Sequence, residues 1–82
     1  MRTGENKEEF REEYRLLGLR IAYLRRKRGW TQEQLVEKAG CSWSYLGQLE
    51  ANSGDVLHAP SLYRLFRLAK ALDVPVRALF EE

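Results

Sequence analysis

The sequence predicts an all-α domain of five helices, and three observations carry that prediction. Apolar residues recur at Phe10, Tyr14, Leu17, Ile21 and Leu24, in steps of 4, 3, 4 and 3, the period of one helix face. Four later segments each begin at a helix-start signal, at Thr31, Ser42, Ser61 and Pro75. No stretch alternates apolar and polar residues as a half-buried strand would.

The first helix is expected from about Glu5 to Lys27. Gly18 lies within it at a cost of roughly 1 kcal/mol relative to Ala. A break at Gly18, leaving a separate N-terminal helix or arm, is the alternative. Arg28-Gly29-Trp30 closes this helix, with Gly29 suited to a left-handed cap. Thr31 and Gln34 then form a Thr-x-x-Gln capping box, with Trp30 and Leu35 available as a hydrophobic staple. The second helix, about Gln32–Lys38, buries Leu35, Ala39 and part of Val36. Gly40 ends it, Ser42 caps the third helix, about Trp43–Glu50, and Leu46 and Leu49 turn inward.

Residues 51–60 read as a loop from their Asn, Ser, Gly, Asp and Pro content. Ser61 caps a fourth helix running to about Ala71, in which Leu62, Leu65, Phe66, Ala69 and Leu72 follow helical spacing. Asp73-Val74 breaks it, and Pro75 opens a short fifth helix that buries Val76, Leu79 and Phe80. Residues 1–14 form a charged N-terminal extension, helical and continuous with the first helix. Residues 15–82 form the domain, with the helix-turn-helix at 31–51.

Composition excludes several functions. Eighty-two residues make one domain with a modest core. No apolar run approaches the roughly 20 residues that span a bilayer, and the charged start is no signal peptide, so a cytoplasmic protein with no membrane association is expected. Cys41 is the single cysteine and His58 the single histidine, which leaves neither a disulfide nor a Cys/His metal site. No residue around Ser or Cys suggests an activated nucleophile, so no catalytic residue and no cofactor is expected. The net charge of +2 is uneven: residues 1–14 hold three basic and five acidic residues, the remainder 11 and 7. A mildly positive body permits nucleic-acid binding without requiring it.

Residues 31–50 make two short helices joined by a tight turn, the second carrying small polar and aromatic groups on the side its buried face does not use. Together with Gly18-x-x-Ile21-x-x-Leu24-Arg25, Trp30-Thr31-Gln32-Glu33-x-Leu35, Gly40-Cys41-Ser42-x-Ser44-Tyr45-Leu46-x-x-Leu49-Glu50, Pro60-Ser61-Leu62 and Ala69-x-x-Leu72, this segment resembles the lambda-repressor and Cro type of helix-turn-helix, the XRE family. The match covers about residues 15–80.

The resemblance implies a five-helix lambda-repressor-like fold and a transcriptional regulator that binds a double-stranded operator as a homodimer, its third helix in the major groove. It assigns Gln32 to a phosphate or cap contact. Trp43, Ser44 and Gln48 fall at base-reading positions, Ser42 and Tyr45 where the helix meets the backbone, and Asn52 and Ser53 at a further phosphate contact. The chemistry is suitable: Gln binds adenine bidentately, Ser donates or accepts, an aromatic face packs on a thymine methyl, and helix N-terminal amides suit a phosphate. The chain departs from the family at Val36, where a small Ala is usual, and at Gly47 inside the third helix. The loop after that helix is longer and lacks the usual basic residue.

Other readings stay open at this level. Trp43 reads DNA or folds over the following loop, Tyr45 packs or touches phosphate, and Cys41 is a small buried hydrophobe or a redox sensor. Arg25, Arg26, Lys27 and Arg28 complement a helix C-terminus or attract DNA at long range. The stripe Phe10–Tyr14–Leu17 packs on the fifth helix or forms a dimer surface. An antitoxin or other protein-interaction module, binding a partner protein through the same fold, is the rival function.

Overall fold

A computed structural model describes residues 7–51 and 59–81. Asn52, Ser53 and His58 lie outside the described residues, as do residues 1–6 of the extension. Four α-helices are described, α1 (Arg11–Lys27), α2 (Gln32–Ala39), α3 (Trp43–Ala51) and α4 (Leu62–Leu72), with 3-10 turns at Lys7–Phe10 and Val76–Leu79.

Two expectations are corrected by this order. The fifth helix is a 3-10 turn, closed by Ala78 N–H to the Pro75 carbonyl and Phe80 N–H to the Arg77 carbonyl. Only Leu79 buries fully, with Val76 three residues earlier partly buried, and the three-residue repeat of a 3-10 turn carries both on one side. The first helix begins at Arg11 rather than near Glu5, because Phe10 leaves helical geometry (φ −120°, ψ 32°) and supplies no side-chain cap. From there α1 runs without a break through Gly18.

Each helix end is closed by residues suited to it. Gly29 (φ 75°) takes the left-handed position after α1, where its N–H reaches the Arg26 carbonyl and the Trp30 N–H reaches that of Arg25. Thr31 Oγ1 accepts from Gln34 N–H at 3.2 Å while Gln34 Oε1 accepts from Thr31 N–H at 2.8 Å, a complete capping box. Gly40 (φ 71°) closes α2, and Arg67 of α4 donates to the Ala39 carbonyl at 3.2 Å, tying the turn to α4. Ser42 and Ser61 cap α3 and α4 through the Tyr45 and Arg64 N–H groups. Asp73 stands in the left-handed region (φ 57°) after α4, where glycine is more usual.

Leu17, Ile21, Leu35, Leu46, Leu49, Leu65, Leu68, Leu72 and Leu79 meet in one core with Ala39 and Ala69. The inward side of α4 is set by Leu65, Leu68, Ala69 and Leu72; Leu62 and Phe66, which share the helical spacing, lie outside. Phe10 and Phe80 are likewise exposed. α1 packs closely on α3 at Gly18. At Gly18 the absent Cβ leaves room for the carbonyl groups of Leu49 and Glu50.

Candidate nucleic-acid interface

Helix α3 is held against α1 and α2 by its apolar side, which leaves its opposite side to solvent. Ser44 and Gln48 stand there one turn apart, Ser42 lies at the cap, and Trp43 is 59% exposed. Tyr45 is different. Its ring is half-buried against the core with the Arg64 guanidinium 5.4 Å from its centre, and its hydroxyl is buried without a partner among the described residues. Burial raises the Tyr45 pKa, with Arg64 pulling the other way. Tyr45 thus packs against the core from the start of α3. Cys41 sits half-buried beside the core, where burial raises its pKa and the Arg64 charge pulls the other way.

Gln32 and Trp43, eleven residues apart, are brought into direct contact. The Trp43 indole Nε1–H donates to Gln32 Oε1 at 3.2 Å, and Gln32 Nε2 donates to Glu50 Oε1 at 2.9 Å. This direction is chemically fixed: an ionised carboxylate only accepts and an indole N–H only donates, so the amide must turn its nitrogen to Glu50. Glu50 is in turn gripped by Arg25, with Nε to Oε2 at 2.8 Å and Nη2 to Oε1 at 3.0 Å. The remaining Arg25 Nη1 donates to the Trp30 carbonyl at 2.7 Å. Each of these two charged residues is only 7% exposed.

The line of bonds runs from the end of α1, through the end of α3 and the start of α2, back to the start of α3. It bonds the two helices of the motif to each other and to α1. Neither spacing nor the family resemblance assigns Glu50 or Arg25 to the site, and Arg25 is not a solvated end-of-helix cation: it is buried and paired. A signal existed, since Arg25 stands one turn after Ile21 and Glu50 one turn after Leu46, placing opposite charges on two apolar faces. The other cations of that run stay at the surface. Lys27 lies over Tyr23 at 5.9 Å, while Arg28 and Lys38 flank Trp30 at 5.2 and 5.0 Å.

Among the described residues no group of His, Cys, Asp or Glu is placed to hold a metal ion, and no helix is long and apolar enough to cross a membrane.

Comparison with known proteins agrees with this geometry. A helix-turn-helix family model matches residues 21–79. The HTH-type transcriptional regulator SinR of Bacillus subtilis (strain 168) is 36% identical over 67 residues, which is 82% of this chain and 58% of that protein. The chain thus spans little more than half the length of that curated relative. The crystal structure of the restriction-modification controller protein C.AhdI from Aeromonas hydrophila superposes with a TM-score of 0.73 at 35% identity, covering 84% of this chain and 98% of that one. The structure of SinR, a master regulator for biofilm formation, in complex with DNA gives 0.70 at 35% identity over 79% of this chain and 98% of that one.

Proposed function

This chain belongs to the lambda-repressor and Cro type of helix-turn-helix proteins, the XRE family, and from that premise we propose that it is a sequence-specific DNA-binding transcriptional regulator, a repressor or a controller of the restriction-modification kind. The observation that carries the proposal is the bonded pair α2–α3, with Trp43, Ser44 and Gln48 held outward on one helix. In this reading α3 enters the major groove, Gln48 and Ser44 meet base edges, and the α2 N-terminus with Gln32 approaches a phosphate. Ser42 and the loop residues Asn52 and Ser53 are the further backbone contacts. The similarity to C.AhdI over 98% of that chain supports the controller reading in particular.

Selection from random duplexes with the purified protein tests this reading. A recovered motif is expected, with affinity falling linearly on a log scale as salt rises. Gln48→Ala is expected to weaken binding to that motif by about tenfold or more, since one good base contact carries about that much discrimination. Equal binding of wild type and Gln48→Ala would remove Gln48 from the reading set. Failure to recover any motif overturns the function.

We propose further that the protein acts as a two-fold dimer joined through the outward side of α1. That side is the one turned away from α3, and it is apolar: Leu16, Leu19 and Tyr23 are 46–50% exposed, and Phe80 beside them is 64% exposed. These residues line one groove with Leu17 and Leu79. Glu13 stands at its N-terminal end and Arg20 toward its C-terminal end, so antiparallel α1 helices from two copies bring opposite charges together. Such a seam leaves both α3 helices free for two half-sites about one DNA turn apart. Leu19→Glu is expected to yield a monomer by sedimentation, with the fold kept by circular dichroism and operator affinity reduced. A Leu19→Glu protein that remains dimeric overturns this interface.

A further inference from the structure

From the bonds around Trp43 we infer that this residue selects thymine by its methyl group, and that Gln32 is the positioning residue which makes it do so; the inference deepens the DNA-binding reading and rests on it. Trp43 has a single polar atom, the indole N–H. That atom is turned inward and donates to Gln32 Oε1 at 3.2 Å. Gln32 cannot release it by turning over, because its amide nitrogen is held by Glu50 at 2.9 Å and a carboxylate offers nothing to an amide oxygen. Glu50 is itself fixed by two bonds from Arg25 in a nearly dry setting.

What Trp43 presents outward, at 59% exposure, is therefore carbon. The major-groove edges of guanine, adenine and cytosine offer hydrogen-bonding groups that a carbon surface leaves unsatisfied. Thymine alone adds a methyl group beside its acceptor. A broad aromatic surface at the first position of α3 fits that methyl and excludes water from it. A glutamine or arginine at the same place would instead seek a donor–acceptor pattern. The remaining hydrogen on Gln32 Nε2 stays available for a phosphate, so positioning and backbone contact do not compete.

The test uses the full chain and the motif recovered by selection. Each thymine of the motif is replaced in turn by deoxyuridine, which removes the methyl and keeps every hydrogen-bonding group. One thymine per half-site is expected to show a loss of about threefold to tenfold on this change, the size of one buried methyl contact. In Trp43→Ala, which removes an exposed side chain and leaves the core intact, the same duplexes are expected to bind equally. In Gln32→Leu the thymine-to-uracil ratio at that position is expected to fall toward one even where overall affinity also falls; a purely structural role for Gln32 would lower both affinities and keep the ratio. If uracil is tolerated at every position, or the discrimination survives in Trp43→Ala, the inference is overturned while sequence-specific binding stands. If selection recovers no motif, the DNA-binding premise itself fails.

Discussion

Gly18→Ala is expected to destabilise the domain by about 3 kcal/mol, even though alanine favours an α-helix over glycine by about 1 kcal/mol. The sign is decided by what the new methyl meets. A Cβ at Gly18 falls inside contact distance of the Leu49 carbonyl oxygen and 3.0 Å from that of Glu50. Both are backbone atoms of α3, so no side chain can swing aside, and α1 and α3 must separate. Separation opens the packing of Ile21 on Leu46 and Leu49, all fully buried, and draws Arg25 away from Glu50. Gly47→Ala is the matched control. Its Cβ has only Gln32 Oε1 at 3.9 Å, an ordinary contact, and its φ is not left-handed, so a gain of about 0.5–1 kcal/mol is expected. Urea unfolding of the two variants beside wild type checks both signs. A Gly18→Ala protein as stable as wild type would mean that α1 and α3 do not approach as closely as described. Because α3 carries the outward residues, any surviving Gly18→Ala protein is also expected to bind its operator more weakly.

The contrast between these glycines marks where sequence reading stops. Both look alike in the chain, as helix-interior residues that cost stability. Only the packing of one helix on another separates them, and that is a relation between residues 18 and 49 that no local pattern encodes. Caps are the opposite case. Thr31 with Gln34, Ser42, Ser61, Gly29 and Gly40 act on neighbours within a few residues, so their roles were legible and the structure has them bonded as expected. α4 lies between. Leu62, Leu65, Phe66, Leu68, Ala69 and Leu72 contain two overlapping helical stripes, and periodicity cannot choose between them. The structure turns the stripe of Leu65, Leu68, Ala69 and Leu72 inward, leaving Leu62 and Phe66 exposed.

The candidate site was legible in its outline for a similar reason. Outward positions on a short capped helix follow from which residues face inward, so spacing leaves Trp43, Ser44 and Gln48 on the open side, while their base-reading role is what the family resemblance implies. What spacing could not supply is that Gln32 and Trp43 touch, or that a buried ion pair stands behind them. Those bonds cross between helices 11, 18 and 25 residues apart in the chain. They depend on how α1 and α2 pack on α3.

That ion pair makes the last expectation the most discriminating. Glu50→Ala should cost about 3–5 kcal/mol, because it strands the Arg25 guanidinium in a site where it is only 7% exposed. For a domain of this size the whole stability is only about 4–12 kcal/mol, so this loss removes a large part of it. The loss alone does not show that the pair stabilises the fold, since the variant leaves one charge without its partner. The double variant Arg25→Met with Glu50→Leu removes both charges and keeps apolar volume. It is expected to be as stable as wild type or more stable by about 1–4 kcal/mol, because two ions no longer need to be taken out of water. Operator binding should move the other way. Without Glu50 the Gln32 amide is free to turn, Trp43 loses its fixed hydrogen-bond partner, and the reading surface of α3 loses its defined shape. Thermal unfolding and binding to the selected motif, measured on the same preparations, separate the two roles. A double variant that is stable and binds as tightly as wild type would reduce the Arg25–Glu50 pair to a packing detail. One that is stable and binds poorly assigns the pair to positioning, held in the core at the expense of stability that an apolar pair would have provided.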